Sequence, residues 1–241
     1  MFTKSARFYD AFYVWKDYPE EVARLKARIE KHFGRPPASL LDVCCGTGMH
    51  ASLLSDYTQI VGVDLDSELL EIARTRAPTA SFRQCDMLDF DLGQTFEVVT
   101  CLFGSVAYTE TVDRLTQAIH TMARHVSPGG LLLVEPFFAP ENWVKGSPHA
   151  LFVDEPDLKL ARMNVAERDG DVAVMEFHYL VSTPGDVSYF TEVHRLGLFT
   201  DQQYRSALAA AGMGIDRDEE GLMGRGLYVA WTARAQTATP S

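Results

Sequence analysis

The sequence predicts an α/β fold whose mostly parallel sheet is covered on both faces by helices. Three observations carry this expectation. Continuous apolar runs recur through the first 135 residues, the intervals between most of them leave room for a helix, and the first run ends in a glycine-rich turn where a helical pattern begins. Strands that are apolar without alternation must be buried on both faces, and helices between successive strands supply the cover.

Each element has its own signal. Phe8-Tyr9-Asp10-Ala11-Phe12-Tyr13 and Trp15 to Tyr18 crowd aromatics together, and Pro19 can open a helix that runs to about Phe33. Leu40 to Val43 is the first strand, with Gly46 and Gly48 in the turn after it. Gln59 to Asp64 is the second strand, Ser81 to Met87 the third and Phe96 to Phe103 the fourth, while a Pro128-Gly129-Gly130 turn leads into a fifth, Leu131 to Glu135. Helices are expected at Ala51 to Ser55, at Ser67 to Arg76 with Ser67 as its cap, and at Thr111 to His125. Beyond Glu135, Leu158 to Glu167, Val172 to Ser182 and Val187 to Phe199 predict three strands of an inserted antiparallel sheet, joined at Arg168-Asp169-Gly170-Asp171 and Pro184-Gly185-Asp186. A helix at Asp201 to Ala211, a stop and penultimate strand at Gly212-Met213-Gly214-Ile215, and a last strand at Leu227 to Trp231 complete the chain.

Composition bounds the function. With 241 residues, 46% of them hydrophobic, the chain can bury one sizeable core. A formal net charge of -11 without a basic stripe argues against nucleic acid and anionic membranes as partners and for a diffusible small-molecule acceptor. Neither a signal-peptide run nor about 18 uninterrupted apolar residues occurs, so a cytoplasmic protein is expected, as monomer or homodimer. Cys44, Cys45, Cys85 and Cys101 fall in or beside core strands without ligand-like spacing, so they read as buried thiols and no metal site is expected.

The turn after the first strand carries the chemistry. Glycines remove the Cβ atoms that would hold a ligand off the backbone, and the helix start beyond them offers N–H groups. Asp42, four residues before Gly46, gives a pyrophosphate nothing but suits a ligand bearing an ammonium and a sulfonium. Asp64, sixteen residues past Gly48, can accept both ribose hydroxyls. With Asp42 in place, Leu40 to Gly48 resembles motif I of the class I S-adenosylmethionine-dependent methyltransferases. That resemblance implies a Rossmann-like, seven-stranded, mostly parallel sheet carrying the insertion, with S-adenosyl-L-methionine as cofactor. It also implies Asp86 at the adenine amino group and Met87 against the ring. The cofactor-binding set it implies is Tyr9, Tyr18, Asp42, Cys44, Gly46, Gly48, Asp64, Leu65, Asp86, Met87 and Leu102. Aromatic faces suit a sulfonium, at roughly 0.5–2 kcal/mol for a cation over a ring, and in the family the tyrosine of the Tyr9-Asp10 pair touches the cofactor. A dinucleotide stays open beside this: Gly46 to Ala51 also fits G-x-G-x-x-G/A, with an acid about 20 residues on. Asp42, Asp86 and the lack of an evident second domain favour the methyltransferase. The chain then divides into a helical lid (1–35), the cofactor-binding core (36–136), the inserted sheet as substrate region (137–199), the C-terminal part of the core (200–233) and a tail (234–241).

Lys16-Asp17-Tyr18, Leu41 to His50, Asp86-Met87, Val134-Glu135-Pro136, His178-Tyr179-Leu180-Val181, Leu198-Phe199-Thr200 and Gly224-Arg225-Gly226-Leu227 are similar to stretches of the N,N-dimethyltransferases of desosamine- and mycaminose-type amino sugars. That similarity implies Tyr108 beside the substrate amine, Phe137 bordering the sugar and Arg225 in the substrate region. The chain departs from the subgroup in having Phe2 where a tyrosine is usual, in lacking the glycines before Lys16, and in Phe137-Phe138 where a tryptophan pair is usual. Alternation puts Glu176 and His178 on one face of a strand and Glu192 and His194 on one face of the next. A hairpin centred on Gly185 would set His178 opposite Glu192 and Glu176 opposite His194, either as a wall that handles protons, with His178 catalytic and Glu192 at the substrate, or as a solvated ladder. An amine acceptor, a hydroxyl or carboxylate acceptor, and a non-catalytic cofactor-binding module all remain open at this point.

Overall fold

The computed structural model describes residues 5–234, and the tail expected from residue 234 falls almost wholly outside them, as does Phe2. A 3₁₀ turn (Ala6–Phe8) and a short helix α1 (Tyr9–Phe12) precede α2 (Tyr18–Phe33). Pro19 sits in the first turn of α2, the Asp17 side chain accepts from the Glu20 N–H at 3.0 Å, and Gly34 ends the helix at φ +69°. The core follows as β1 (Ser39–Val43), α3 (Met49–Leu54), β2 (Gln59–Asp64), α4 (Ser67–Arg76), β3 (Ser81–Gln84), β4 (Phe96–Cys101), α5 (Val112–Ala123) and β5 (Val126–Val134). A second sheet holds β6 (Pro148–Glu155), β7 (Leu158–Asp169), β8 (Val172–Thr183) and β9 (Asp186–Gly197), and α6 (Asp201–Ala210), β10 (Gly214–Asp218) and β11 (Leu227–Trp231) return the chain to the first.

The seven-stranded sheet has the order β10-β11-β5-β4-β1-β2-β3. β1 pairs in parallel with both β2 and β4, and β11 lies antiparallel to β5 and to β10. From β1 the chain winds outward through β2 and β3, then returns to lay β4 on the other side of β1. The two crossovers diverge there, which opens a crevice beyond the carboxyl ends of β1 and β4. Packed clusters on each face of the sheet, one around Leu115, Ile119 and Tyr204, the other around Leu25, Ile29 and Leu54, hold it rigid.

Several expectations are corrected. Asp66, not Ser67, caps α4, because its carboxylate reaches the N–H groups of Glu68 and Leu69 at 2.9 and 3.2 Å. The third strand stops at Gln84, before Cys85-Asp86-Met87, and the fourth at Cys101. Pro128-Gly129-Gly130 is no turn before a strand but a bulge within β5: Phe96 stands opposite Val126 and Val98 opposite Leu131. The inserted sheet has four strands, not three, since β6 was unread; its pattern mixes Pro148, His149 and Asp154 into an edge that pairs β7 alone.

The largest correction concerns the β8–β9 hairpin. Pro184-Gly185 forms a two-residue turn, with Gly185 at φ +89°, so Thr183 faces Asp186 and every pair shifts by one from the expected register. His178 stands opposite Thr191, and Glu192 opposite Phe177. Glu176 and His178 therefore share the exposed face, while Glu192 and His194 lie on the buried one. That buried face receives the N-terminal segment, where Phe8 and Phe12 pack on Leu160, Phe177, Tyr179, Val181 and Phe190.

Gly48 shows how tightly the core is set. It caps α3 at φ +74°, and a Cβ there would stand 2.9 Å from the Ala73 Cβ and 3.1 Å from its Cα. Gly48→Ala should destabilise the protein by at least ~1 kcal/mol through backbone strain and overpacking between α3 and α4, read as a lower urea midpoint at unchanged slope.

Candidate functional site

The crevice beyond β1 and β4 is a cleft in two parts. One part is lined by Asp64, Leu65, Leu69, Asp86, Met87 and Leu88, with Tyr108, Thr109 and Arg114 on its far wall. The other is lined by Lys16, Tyr18, Asp42, Thr47, His50, Leu102 and Phe103. Tyr9, Cys44, Gly46 and Ser105 border both and mark where they meet.

The glycine turn is built by Asp64. Its carboxylate accepts the Gly46 N–H at 2.8 Å and the Asp66 N–H at 3.0 Å, tying the end of β1 to the end of β2. Burial raises the Asp64 pKa from the ordinary carboxylate value, against those two hydrogen bonds. A Cβ on Gly46 would meet nothing within 4 Å, so the backbone there faces open space. Gly48 is not among the residues lining either part of the cleft, and its missing side chain lets α4 approach. Cys44 is held at φ +60°, and hydrogen bonding to Cys101, followed by burial, pushes its thiol well above the usual range. Neither Cys44 nor Cys85 is fully buried; both line the cleft.

In the second part Asp42 is buried, and it accepts the Thr100 hydroxyl at 2.8 Å. Burial raises its pKa. Lys16, in the Lys16-Asp17-Tyr18 stretch, lies beneath the Tyr18 and Phe103 rings at 4.3 and 4.7 Å from their centroids. The Tyr18 ring thus already carries a cation from this chain. Lys16 pairs with Glu21, which also meets His50 at 3.0 Å. Burial lowers the Lys16 pKa, and burial alone would raise Glu21, but hydrogen bonds from His50 and Lys16 outweigh it and leave Glu21 below its ordinary value. The Asp10 carboxylate accepts the Thr47 hydroxyl at 2.8 Å and pairs with Arg76, which also donates to the Thr47 carbonyl at 2.7 Å. Through Asp10 the N-terminal segment is clamped to the glycine turn, which sets Tyr9 over it.

Of the residues expected at the acceptor, Tyr108 lines the cleft, whereas Phe137, Arg225 and Glu192 are not among its lining residues. Tyr108 belongs to a 3₁₀ turn (Ser105–Thr109) that follows β4, and its hydroxyl lies 2.6 Å from His194 Nδ1. Burial pushes the Tyr108 phenol well above its usual value, so it stays protonated at neutral pH. Phe137 packs against Phe138 and Trp143 at ring separations of 5.0 and 5.7 Å. The Arg225 guanidinium stacks 5.0 Å from the Phe103 ring and lies 3.9 Å from the fully buried Glu135. Glu135 accepts the Phe103 N–H at 2.6 Å, which fixes Phe103 at φ +58°. Glu192 is buried and accepts the Ser5 N–H at 3.0 Å. His178 is not brought to this site: it is exposed, with Nδ1 2.6 Å from the Tyr189 hydroxyl on the opposite face of the inserted sheet.

Sequence reasoning missed Asp66, Leu69, Leu88, Ser105, Thr109 and Arg114, which reach the cleft from loops and helix starts without a motif of their own. Lys16 had a signal, since Lys16-Asp17-Tyr18 was already a recognised stretch. Among the described residues no His, Cys, Asp and Glu cluster could hold a metal ion, and no helix is long and apolar enough to cross a membrane.

Comparison with known proteins agrees with this geometry. The methyltransferase-domain family matches residues 40–130. The dTDP-3-amino-3,6-dideoxy-alpha-D-glucopyranose N,N-dimethyltransferase of Streptomyces fradiae is 40% identical over 215 residues, spanning 88% of this chain and 84% of that one. The crystal structure of Streptomyces venezuelae DesVI superposes with a TM-score of 0.88 at 36% identity, covering 98% of this chain and 100% of the other. The S-adenosylmethionine-bound structure of CalS10, an amino pentose methyltransferase from Micromonospora echinaspora, gives a TM-score of 0.84 at 35% identity, over 97% and 98% of the two chains.

Two measurements test the cleft. Asp64→Ala should weaken calorimetric binding of S-adenosylhomocysteine roughly 10- to 100-fold, the loss of about 1.5–3 kcal/mol from a charged hydrogen-bond acceptor, while NAD should bind neither form. Because the folded-state pKa of Glu21 is depressed, its contribution to stability is complete above the ordinary value of about 4.3 and lost as pH falls through the folded value. The urea midpoint of Glu21→Gln should therefore lie below wild type at pH 7, and the gap should narrow as pH falls from the ordinary glutamate value through the lower folded one.

Proposed function

Since the chain belongs to the S-adenosylmethionine-dependent methyltransferases, in the branch of the nucleotide-amino-sugar N,N-dimethyltransferases, we propose that it transfers methyl groups to the amine of a nucleotide-linked amino sugar. The observation that carries this is Tyr108: a protonated phenol on the wall of the cofactor cleft, locked to a buried histidine of the inserted sheet, with no cluster among the described residues that could hold a metal ion to activate a hydroxyl. A metal-assisted or strongly basic site would favour an oxygen acceptor, whereas an amine needs only to be oriented and relieved of its proton.

The cleft fits the cofactor. Gly46 offers open backbone, Asp64 and Asp86 line one part, and the buried Asp42 lies in the other, whose chemistry suits an ammonium. Tyr9, Asp42, Gly46, Asp64, Asp86, Met87 and Leu102 would hold it, and when bound it supplies an electrophilic methyl on a sulfonium.

The chain's own task is alignment. Positive charge disperses as the methyl leaves, so the site needs a nucleophile held in line more than a charge-stabilising hole. Tyr108 orients the amine, and Phe137 and Arg225 border the rest of the acceptor. Arg225 has its guanidinium held between Phe103 and Glu135, ready for a phosphate-bearing group. The segment before α2, seated on the inserted sheet through Phe8 and Phe12, acts as the lid that excludes water.

An acceptor screen headed by dTDP-3-amino-3,6-dideoxy-α-D-glucopyranose, with hydroxyl analogues in parallel, tests the assignment by mass spectrometry of the products. Methylation confined to the amines is the expected result; methylation of the hydroxyl analogues alone would overturn it. Tyr108→Phe should lower turnover about tenfold or more while leaving S-adenosylhomocysteine affinity within about threefold, the pattern of an interaction made at the acceptor.

A further inference from the structure

The turn that carries Tyr108 is fastened to β9 at two points. Tyr108 meets His194 Nδ1 at 2.6 Å, and Glu110, at the end of the same turn with φ +60°, accepts from Arg195 Nε at 2.9 Å. His194 is buried at 1% exposure, with Phe177 edge-on at 5.1 Å. Its other nitrogen, Nε2, lies 3.8 Å from Oε2 of Glu192, two residues earlier on the same strand. Both Glu192 oxygens accept from Ser5, one from its N–H at 3.0 Å and one from its hydroxyl. At 3.8 Å the approach of Glu192 to Nε2 is an electrostatic contact and not a hydrogen bond, and the negative carboxylate favours the tautomer with its proton on Nε2, which leaves Nδ1 with a lone pair. The short contact at Nδ1 is then a hydrogen bond donated by the Tyr108 hydroxyl. With its proton committed to His194, the phenol oxygen has only lone pairs left for the cleft.

We propose that His194 is a positioning residue for methyl transfer: it holds the Tyr108 proton, so that Tyr108 meets the acceptor only as a hydrogen-bond acceptor and orients a group that has a proton to give. The proposal rests on the cleft being a methyl-transfer site and adds what sets the polarity of its wall. An amine satisfies Tyr108 through its N–H while its lone pair faces the methyl; a carboxylate has no proton to offer. Ser5 makes the arrangement depend on the N-terminal segment, because the carboxylate that orients His194 is itself held from that segment. No covalent step is assigned to His194. Burial lowers the His194 pKa to about 3, so the imidazole is neutral across the working range. Among the described residues, the titratable and charged groups that act on it include Glu192 on its own strand, Tyr108 on the 3₁₀ turn and Arg162 on β7.

The test is a double-mutant cycle in kcat on whichever amino sugar the wild type methylates, with S-adenosylhomocysteine affinity measured in parallel. His194→Phe keeps the ring volume and removes the acceptor, and it should lower kcat about tenfold with cofactor-product affinity within about threefold. Added to Tyr108→Phe it should cost nothing further, since both variants remove the same interaction. His194→Asn, which can put a carbonyl oxygen where Nδ1 stands, should recover most of the loss and keeps the test open if the phenylalanine variant fails to fold. Multiplicative losses in the double variant, an asparagine variant no better than phenylalanine, or an unchanged kcat in His194→Phe would each overturn the positioning role. An inactive wild type on every amino sugar is a separate outcome: it overturns the substrate assignment and this inference with it.

Discussion

The bond network of the Asp64 carboxylate is the constraint on which the rest of the cleft depends. By accepting from both Gly46 and Asp66, it joins the turns that leave β1 and β2 and fixes the crevice at the point where the sheet reverses its winding. Even half-buried, a carboxylate is costly to keep charged, and its raised pKa records that cost.

Strain and buried charge gather at this end of the sheet. Cys44 and Phe103 adopt positive φ just past β1 and β4, and neither is a glycine. Such conformations cost of order 1–3 kcal/mol each and persist where surrounding structure imposes them. At Phe103 the imposing group is visible: fully buried Glu135, beyond β5, accepts its N–H. Among the described residues, the opposite end of the sheet, where β1 and β2 begin, carries no comparable group of buried carboxylates.

The inserted sheet and the N-terminal segment are two halves of one cover. Phe8 and Phe12 fill the buried face of the sheet, Ser5 holds Glu192, and Asp10 and Arg76 fasten the segment to the glycine turn. Apolar packing supplies the area, and the polar latches fix where that area sits. Movement of the segment would therefore alter both the cofactor turn and the environment of Tyr108.

The sequence by itself determined the α/β class, the strands and helices of the core, and the cofactor turn, because those features rest on local rules: apolar runs, glycine at positive φ, an acid at a strand end. Asp42, Gly46 and Asp64 were legible for that reason, Asp86 and Met87 through the family resemblance, and all of them line the cleft. The tertiary structure alone decided which histidine meets Tyr108. A turn one residue shorter than expected moved every β8–β9 pair, put His178 on the exposed face and left Glu192 and His194 on the buried one. Register has a period of two, so a shift of one exchanges faces, and no local pattern in Pro184-Gly185-Asp186 specified which residue would be the centre. Nor could spacing show that the turn after β4 folds against β9, 86 residues away, to bring Tyr108 and His194 together.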